Sequence, residues 1–502
     1  MRVNFRNAYE TSSSKGKFMV LCGILTLVPL LIALGYPTTI EDMMAFIIPG
    51  VTSIFVGLLC CMRHKPSTQV IPHTQMVKNS SYFVLFAWGY GILMGALPFL
   101  LSNQLTLVQS LHESVSGWTT TGLSTLDVTK TSDIFLFHRG FMQYCGGLGF
   151  VMVMTLFIQN RQSMNLFQAE GHSDQLMPNL KRTVQVIVLM YTTFLVIGVA
   201  CYMLAGCNFL DSTVHAMAAL STGGFANHPE SIGYYDSPLI EFITIVLMII
   251  GTTNFAALLL LMQRRFRRFW SVSEVRFMTG LLLFAVPLTG LVLFCAAYAS
   301  LSQSMRIAFF EVVSALSTSG FSSVGYGDWP QAASFVLIVM MIIGGGIGST
   351  AGGMKMSRVY LMLRSIKDHI MQRINPRESV SLSYYVRPQG KTLIDHKLIT
   401  DTAVFVFCYM LIYFIGTFLL MLTANCTLLE AMFDFASSLG TVGLSMGITN
   451  STMPAAALIV EIAGMMLGRL EIFIVLIGIR SVFVSIKDSL HSARVKLFRK
   501  TA

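Results

Sequence analysis

The chain carries one short motif four times. HESVSGWTTTG ends at Gly122, VHAMAALSTGG at Gly224, FEVVSALSTSG at Gly320 and FDFASSLGTVG at Gly443. Two residues before each glycine stands a threonine: Thr120, Thr222, Thr318 or Thr441. Four residues before it stands a large apolar residue: Trp118, Leu220, Leu316 or Leu439. Each copy lies between two long apolar stretches. Four helix–tip–helix hairpins are what one chain needs to bring four sets of backbone carbonyls round one axis, where they can replace the water shell of an ion.

The composition fits that reading and excludes a soluble globular chain. Hydrophobic residues make up 54% and charged residues 12% of 502, against roughly 25% charge in soluble domains. A spanning helix needs about 20 apolar residues. Ten spans are predicted, at roughly 18–36, 42–62, 81–101, 136–158, 183–205, 238–262, 278–299, 332–365, 399–423 and 453–482. The first run is not followed by a small-residue cleavage site and reads as a retained helix. The expected fold is an all-α polytopic membrane protein. It comprises four helix–pore loop–helix repeats in pseudo-fourfold arrangement, plus an extra amino-terminal transmembrane hairpin. The expected division is a hairpin at 1–78, repeats at 79–160, 161–270 and 271–365, a polar cytoplasmic linker at 366–398, and a fourth repeat with the tail at 399–502.

The net charge of +10 is segregated. Lys and Arg gather at the amino terminus (Arg2, Arg6, Lys15, Lys17), at 63–78, 161–182, 264–276 and 355–397, and in the tail (Arg494, Lys496, Arg499, Lys500). The four segments that hold the tips contain only Lys130 and Arg306. By the positive-inside rule both termini are cytoplasmic and all four tips enter from outside. Topology accounts for the basic patches, so no nucleic-acid partner is expected. The same outer segments hold ten acids, among them Glu113, Asp211, Glu311, Glu430 and Asp434. Such a face concentrates cations, although Asp211 and Glu430 also suit helix caps. The nine cysteines form no CxxC motif and no Cys/His cluster, so neither a metal site nor a disulfide framework is expected.

Within each tip the residues ahead of the glycine read as a short pore helix. Small residues at the fifth position back (Gly117, Ala219, Ala315, Ser438) allow close packing. The chain then leaves the helix at Thr120-Thr121-Gly122, Thr222-Gly223-Gly224, Thr318-Ser319-Gly320 and Thr441-Val442-Gly443. These twelve residues are the expected filter. The threonine hydroxyl either adds a lower oxygen ligand or braces the loop.

Two glycine-rich runs are decoys. SVGYGD (323–328) imitates a potassium-channel filter and the GxGD pattern of intramembrane aspartyl proteases, but the repeat frame sets the third tip at Gly320. The other predicted spans hold aspartate only at their ends, Asp42 and Asp401, and none mid-span where a protease requires its second one. GGGIGSTAGG (344–353) would pass a loose dinucleotide fingerprint, yet it follows an apolar helix rather than a strand. That run, with Gly344, Gly345, Gly346, Gly348, Gly352 and Gly353, is either a kink or an intramembrane loop below the filter, with Lys355 at its inner end. Arg469 lies mid-span, and a buried ionisable residue in a membrane span is a functional candidate by default. It either pairs with Glu461 or Glu471 or points into the cavity under the filter as a barrier to cations.

In the tips, in IIGGGIGSTAGGMKMSR (342–358) and in MLGRLEIF (466–473), the chain resembles the Trk/Ktr/HKT superfamily of cation transporters. It is most similar to the bacterial TrkH-type potassium uptake subunits, over nearly its whole length. The resemblance implies a single-chain pseudo-fourfold pore, usually a homodimer, in the bacterial inner membrane. It implies that the four glycines select potassium and that the loop Gly344–Gly353, with Lys355 at its inner end, is the gate; Arg469, from its place mid-span, is expected to act with that loop. Plant members with a serine in the first tip transport sodium; Gly122 here favours potassium. A cytoplasmic nucleotide-binding regulatory subunit of the TrkA/KtrA kind is also implied, with basic faces at 264–268 and 355–373 as its anchor. No cofactor is expected on this chain and no enzymatic activity. The alternative is a sodium-selective or sodium-coupled transporter. A membrane enzyme would have to use His112, His215, His138 or the intramembrane acids, and no nucleophile motif accompanies them.

Overall fold

The computed structural model describes residues 13–63, 73–149, 180–374 and 383–470, together with 472, 473, 475 and 480. Arg2, Arg6, the basic run at 161–178, Glu471 and the basic tail lie outside the described residues. So do the inner ends of the spans predicted at 136–158 and 453–482.

Helices α1 (Ser14–Leu27, prolonged by a 3-10 stretch Val28–Leu34) and α2 (Ile40–Arg63) form the extra hairpin. Glycines face glycines across it. A Cβ added at Gly16 would stand 2.7 Å from the Gly57 carbonyl, and one at Gly23 would stand 2.6 Å from that of Gly50. Small residues are therefore what let the two backbones touch.

Four units of one design follow. Each has a long helix, a short helix, an extended tip and a second helix. The first contains α3 (His73–Leu101), α4 (Leu107–Trp118) and α5 (Asp133–Gly147). The second contains α6 (Leu180–Leu204), α7 (Phe209–Leu220) and α8 (Pro238–Thr252), then α9 (Phe255–Met262) and α10 (Phe266–Ser271). The third contains α11 (Ser273–Ala296), α12 (Leu301–Ser317), α13 (Gln331–Ile343) and α14 (Met356–Ile374). A two-stranded hairpin, β1 (Tyr384–Arg387) and β2 (Gly390–Leu393), separates these from α15 (His396–Ala424), α16 (Leu428–Gly440) and α17 (Ala455–Arg469).

Among the described residues, six helices are long and apolar enough to cross a membrane unaided: the two of the hairpin and the first helix of each unit. The second helices are not. At 13 to 15 residues they extend about 20–22 Å at 1.5 Å per residue, less than the roughly 30 Å hydrocarbon core. This corrects the unbroken spans predicted at 136–158, 238–262 and 453–482, because the helices stop at Gly147, Thr252 and Arg469, while in 332–365 the helix stops at Ile343, where the glycine run begins. In the second unit the chain turns by 113° between α8 and α9. Asn254 caps the new helix by accepting the Ala256 N–H at 2.7 Å. Hydropathy runs straight across this break, which is why an apolar window cannot see it.

The polar stretch predicted as a linker at 366–398 is partly helical, since α14 continues to Ile374. Its extended pieces are the antiparallel pair β1–β2, in the register Tyr384↔Leu393 to Arg387↔Gly390. The Val386 N–H donates to Ser273 Oγ at 3.1 Å and ties the hairpin to the start of α11.

Candidate functional site: the meeting point of the four tips

The short helices α4, α7, α12 and α16 end alike. The N–H of Thr120, Thr222, Thr318 and Thr441 returns to the carbonyl three residues back at 3.1, 3.3, 3.2 and 3.2 Å. The next N–H, of Thr121, Gly223, Ser319 and Val442, reaches five residues back at 2.8, 2.8, 3.0 and 2.8 Å. This is a Schellman closure, which requires a left-handed residue just past the helix and usually uses glycine. Here it uses threonine, with φ of 55°, 55°, 57° and 49°. A β-branched residue held left-handed is a true outlier, costing about 1–2 kcal/mol. Each tip glycine is left-handed again, with φ of 98°, 72°, 72° and 106°. The residue between them is not. Alternation of this kind turns successive carbonyls toward one side.

The tips then close on one another in chain order. A Cβ built on Gly122 would collide with the Gly223 carbonyl oxygen, and one on Gly224 with that of Ser319. One on Gly320 would meet Val442, and one on Gly443 would meet Thr121. Above the ring lies a cavity of about 520 Å³ that touches all four glycines and is lined by Ser124, Asp127, Arg139, His228 and Ser322, among others. Gly325 also lines it, so the SVGYGD segment belongs to the mouth and not to the ring.

Three tips are anchored from behind by an acid nine residues ahead of the glycine, which holds the N–H three residues past it. Glu113 accepts from Thr125 N at 3.2 Å, Glu311 from Ser323 N at 2.8 Å and Asp434 from Met446 N at 2.8 Å. All three acids are fully buried. In the second tip His215 holds that place, with neither ring nitrogen hydrogen-bonded among the described residues. Asp211 serves instead, accepting from Asn227 at 2.7 Å, His228 at 3.1 Å and Tyr235 at 2.8 Å. Charge counting reads these acids as cation attractors and Asp211 as a cap. Their fixed offset from the glycines was the available signal for bracing. Glu430 does cap, in a capping box with Thr427. Asp127, by contrast, faces the mouth. The Thr129 hydroxyl, at 2.6 Å, and Lys130 hold its carboxyl below the usual range.

Below the ring lies the glycine run between α13 and α14. Gly352 N–H donates to Thr318 Oγ1 at 2.8 Å. Thr350 Oγ1 lies 3.2 Å from Thr222 Oγ1 and donates toward the carbonyls of Leu220 at 3.1 Å and Gly251 at 2.9 Å. A Cβ on Gly352 would collide with Thr441 Oγ1 and the Gly440 carbonyl. Two filter threonines thus hydrogen-bond the loop, while Thr120 and Thr441 hydroxyls have no partner among the described residues. Gly344, Gly348 and Gly353 take left-handed φ of 68°, 69° and 76°, as does Lys355 at 78°. Gly345 accepts the Met356 N–H at 2.8 Å, and Gly346 donates to Thr252 at 3.1 Å. Glu274, which sequence reasoning passed over, accepts the Ile347 N–H at 3.1 Å.

Arg469 reaches this loop. It donates from Nη1 to the Thr350 carbonyl and from Nη2 to that of Gly146 at 2.7 Å. Lys355 Nζ donates to the Ala351 carbonyl. Both line a space of only about 40 Å³ with Gly352 and Gly468. The pairing of Arg469 with Glu461 is corrected: Glu461 is held by His112 Nε2 at 2.8 Å and Thr449 at 2.8 Å, both far from the loop. His112 therefore serves as a buried brace. All nine cysteines are free.

The family model described as TrkH, cation transport protein, matches residues 42–485. A Trk system potassium uptake protein of Escherichia coli K12 is 30% identical over 398 residues, covering 76% of this chain and 81% of that protein. An uncharacterized cation transporter of Methanocaldococcus jannaschii is 28% identical over 468 residues, 92% of this chain and 93% of that one. The crystal structure of the potassium transporter from Vibrio parahaemolyticus superposes with a TM-score of 0.81 at 24% identity, covering 95% of this chain and 98% of that one. At that identity the superposition speaks for the fold.

Proposed function

This chain belongs to the TrkH family of cation transport proteins, a family of transporters and not of enzymes, and from that premise we propose that it carries potassium across the plasma membrane. The path is a pseudo-fourfold filter formed by Thr120–Gly122, Thr222–Gly224, Thr318–Gly320 and Thr441–Gly443. The observation that carries this reading is the closure of the four tips, each glycine against the next tip's carbonyl. Backbone oxygens so arranged replace the water of a dehydrated ion. The loop at 344–353, with Lys355 and Arg469, forms the gate beneath it. The scarcity of Lys and Arg in the tip segments, Lys130 and Arg306 alone, supports tips that enter from outside and termini in the cytoplasm, and the chain works as a homodimer.

A cytoplasmic nucleotide-binding subunit regulates it, docking on the basic turn after α9 and the start of α10, at 264–268. Arg264, Arg265, Arg267 and Arg268 are all exposed there.

The test is potassium-limited growth of an uptake-deficient bacterial strain carrying wild type, Gly122→Ser or Gly320→Ser. Wild type is expected to rescue growth, and the serine variants to lose rescue or admit sodium, since a Cβ at either position meets a filter carbonyl. Failure of an inserted wild type with its regulatory partner present would overturn the potassium reading.

A further inference from the structure

Gln143 is a buried polar residue that the fourfold design does not explain. It sits on α5 and is 0% exposed. Its carboxamide meets the second tip with both ends: Nε2 donates to the Gly223 carbonyl, and Oε1 accepts the Phe225 N–H at 3.2 Å. The Gly223 oxygen is one of the four that close the ring. The other three, of Thr121, Ser319 and Val442, receive no side-chain hydrogen bond among the described residues.

The sister helices give the equivalent positions. Gly146, Gly251 and Gly468 each press on a carbonyl four residues ahead of their own tip's glycine: Trp118, Leu220 and Leu439. Three residues before them stand Gln143, Met248 and Met465. Two units thus fill this place with an apolar methionine and one with an amide.

The second tip also differs in itself. It alone has glycine in the middle position, and two consecutive glycines leave a backbone free to move. Two of the other tips brace that position locally. Thr121 Oγ1 lies 2.8 Å from Thr119 Oγ1, and Ser319 Oγ accepts from Ser317 Oγ at 2.8 Å. In the fourth tip Val442 is fully buried. Gly223 has no side chain to brace, and a Cβ there would run into the Gln143 carboxamide. The glycine and the glutamine fit each other: one makes the room that the other fills. One turn earlier on α5, Arg139 stacks on the Phe225 ring at 4.1 Å and pairs with Glu113 at 2.8 Å. The same helix thereby ties the second tip to the brace of the first.

We infer that Gln143 is a positioning residue for ion selection, fixing the Gly223 carbonyl that would otherwise be the loosest of the four. The inference rests on reading the tips as the ion filter. A smaller ion is excluded only while carbonyls resist closing in on it, or while their number and field are held constant. Gln143 restrains the Gly223 oxygen and occupies one of its two lone pairs.

The test is uptake of labelled rubidium and labelled sodium into vesicles containing the full chain as wild type, Gln143→Met or Gln143→Glu. Methionine copies the sister units. Glutamate keeps the size and the acceptor for Phe225 N–H and, once ionised, loses the donor to Gly223; because burial raises a carboxyl pKa, uptake by this variant is read at alkaline pH. Both variants are expected to raise the sodium-to-rubidium ratio by roughly fivefold, the factor a neutral hydrogen bond supplies, with rubidium uptake at saturation kept within about twofold. An unchanged ratio in both variants, or an equal fall in both fluxes, overturns the inference. If methionine prevents insertion, the glutamate variant decides alone by the same criterion. Gly320→Ser in parallel separates the two levels. A ratio altered there but not in the Gln143 variants removes only this inference, while a ratio unaltered there removes the filter reading on which it rests.

Discussion

The ring of tips faces two unlike spaces. Above it the protein leaves about 520 Å³, bordered by the tip glycines, by polar residues such as Ser124, Ser322 and Asp127, and by apolar ones such as Leu126, Phe225 and Met446. The one guanidinium there, Arg139, is paired with Glu113. Below it about 40 Å³ remains, bordered by Lys355, Arg358 and Arg469. The four tips thus separate a mouth with room for hydrated cations from a floor that holds protein charge and peptide, where an ion on the proposed path would have to leave. The ring itself is nearly symmetric, so the asymmetry of the path belongs to what stands on either side. On the function proposed above, selection lies with the tips and control with the floor. Single substitutions can move one without the other.

The largest effect is expected at the floor. Two unit charges about 6 Å apart at an effective dielectric near 20 repel by about 3 kcal/mol, so Arg469→Gln should raise rubidium flux by up to roughly a hundredfold while leaving the sodium-to-rubidium ratio alone. Flux at the wild-type level, with expression matched, would end the division between floor and ring. Thr350→Val comes next. It removes the hydroxyl that reaches Leu220 and Gly251 at 3.1 and 2.9 Å. At about 1 kcal/mol per hydrogen bond, the resting flux should rise on the order of tenfold. A variant that stays closed would show that the loop is held without this hydroxyl, by Arg469 and by the contacts of Gly346, Ile347 and Gly352.

The ring was more legible in the sequence than the floor. Thr-x-Gly recurs because the same helix end, closed by the same two hydrogen bonds, is built four times, and repetition exposes it. Arg469 was visible because a charge in an apolar run is conspicuous, but its partners were not: Thr350 lies 119 residues away and Gly146 lies 323 away. The loop at 344–353 announced itself by glycine content. The breaks after Gly147, Thr252 and Arg469 did not, because apolar residues continue past them. Glu113, Glu311 and Asp434 were seen and misread, since one residue type both attracts cations and braces a backbone. Gln143 was invisible because it has no repeat mate and its target lies 80 residues on.

A middle-sized effect tests how the ring and the second helices share a backbone surface. A Cβ at Gly468 would run into the Leu439 carbonyl, just as one at Gly146 would run into that of Trp118. Overpacking of this kind costs typically 1–3 kcal/mol. Gly468→Ala should therefore lower the melting temperature in detergent by several degrees, whereas Gly325→Ala, which meets nothing within 4 Å, should not. Equal melting temperatures would mean that α17 is free to move away from the ring.

The smallest effect belongs to the mouth. Asp127 lines it and is 45% exposed, with Lys130 at 3.0 Å. Asp127→Asn removes a charge that draws cations in, but that charge is already offset by Lys130 and screened over roughly 8 Å at physiological salt. The apparent KM for rubidium should rise less than about twofold at low ionic strength and not at all near 0.15 M. The pH dependence follows from the sign of the pKa shift. The Thr129 hydrogen bonds and Lys130 lower the carboxyl pKa, so Asp127 stays ionised well below neutrality and the difference between variant and wild type should be flat from pH 5 to 8. A change in KM that persists in high salt, or that grows on acidification within that range, would mean that Asp127 touches the ion directly. The mouth would then share in selection with the ring.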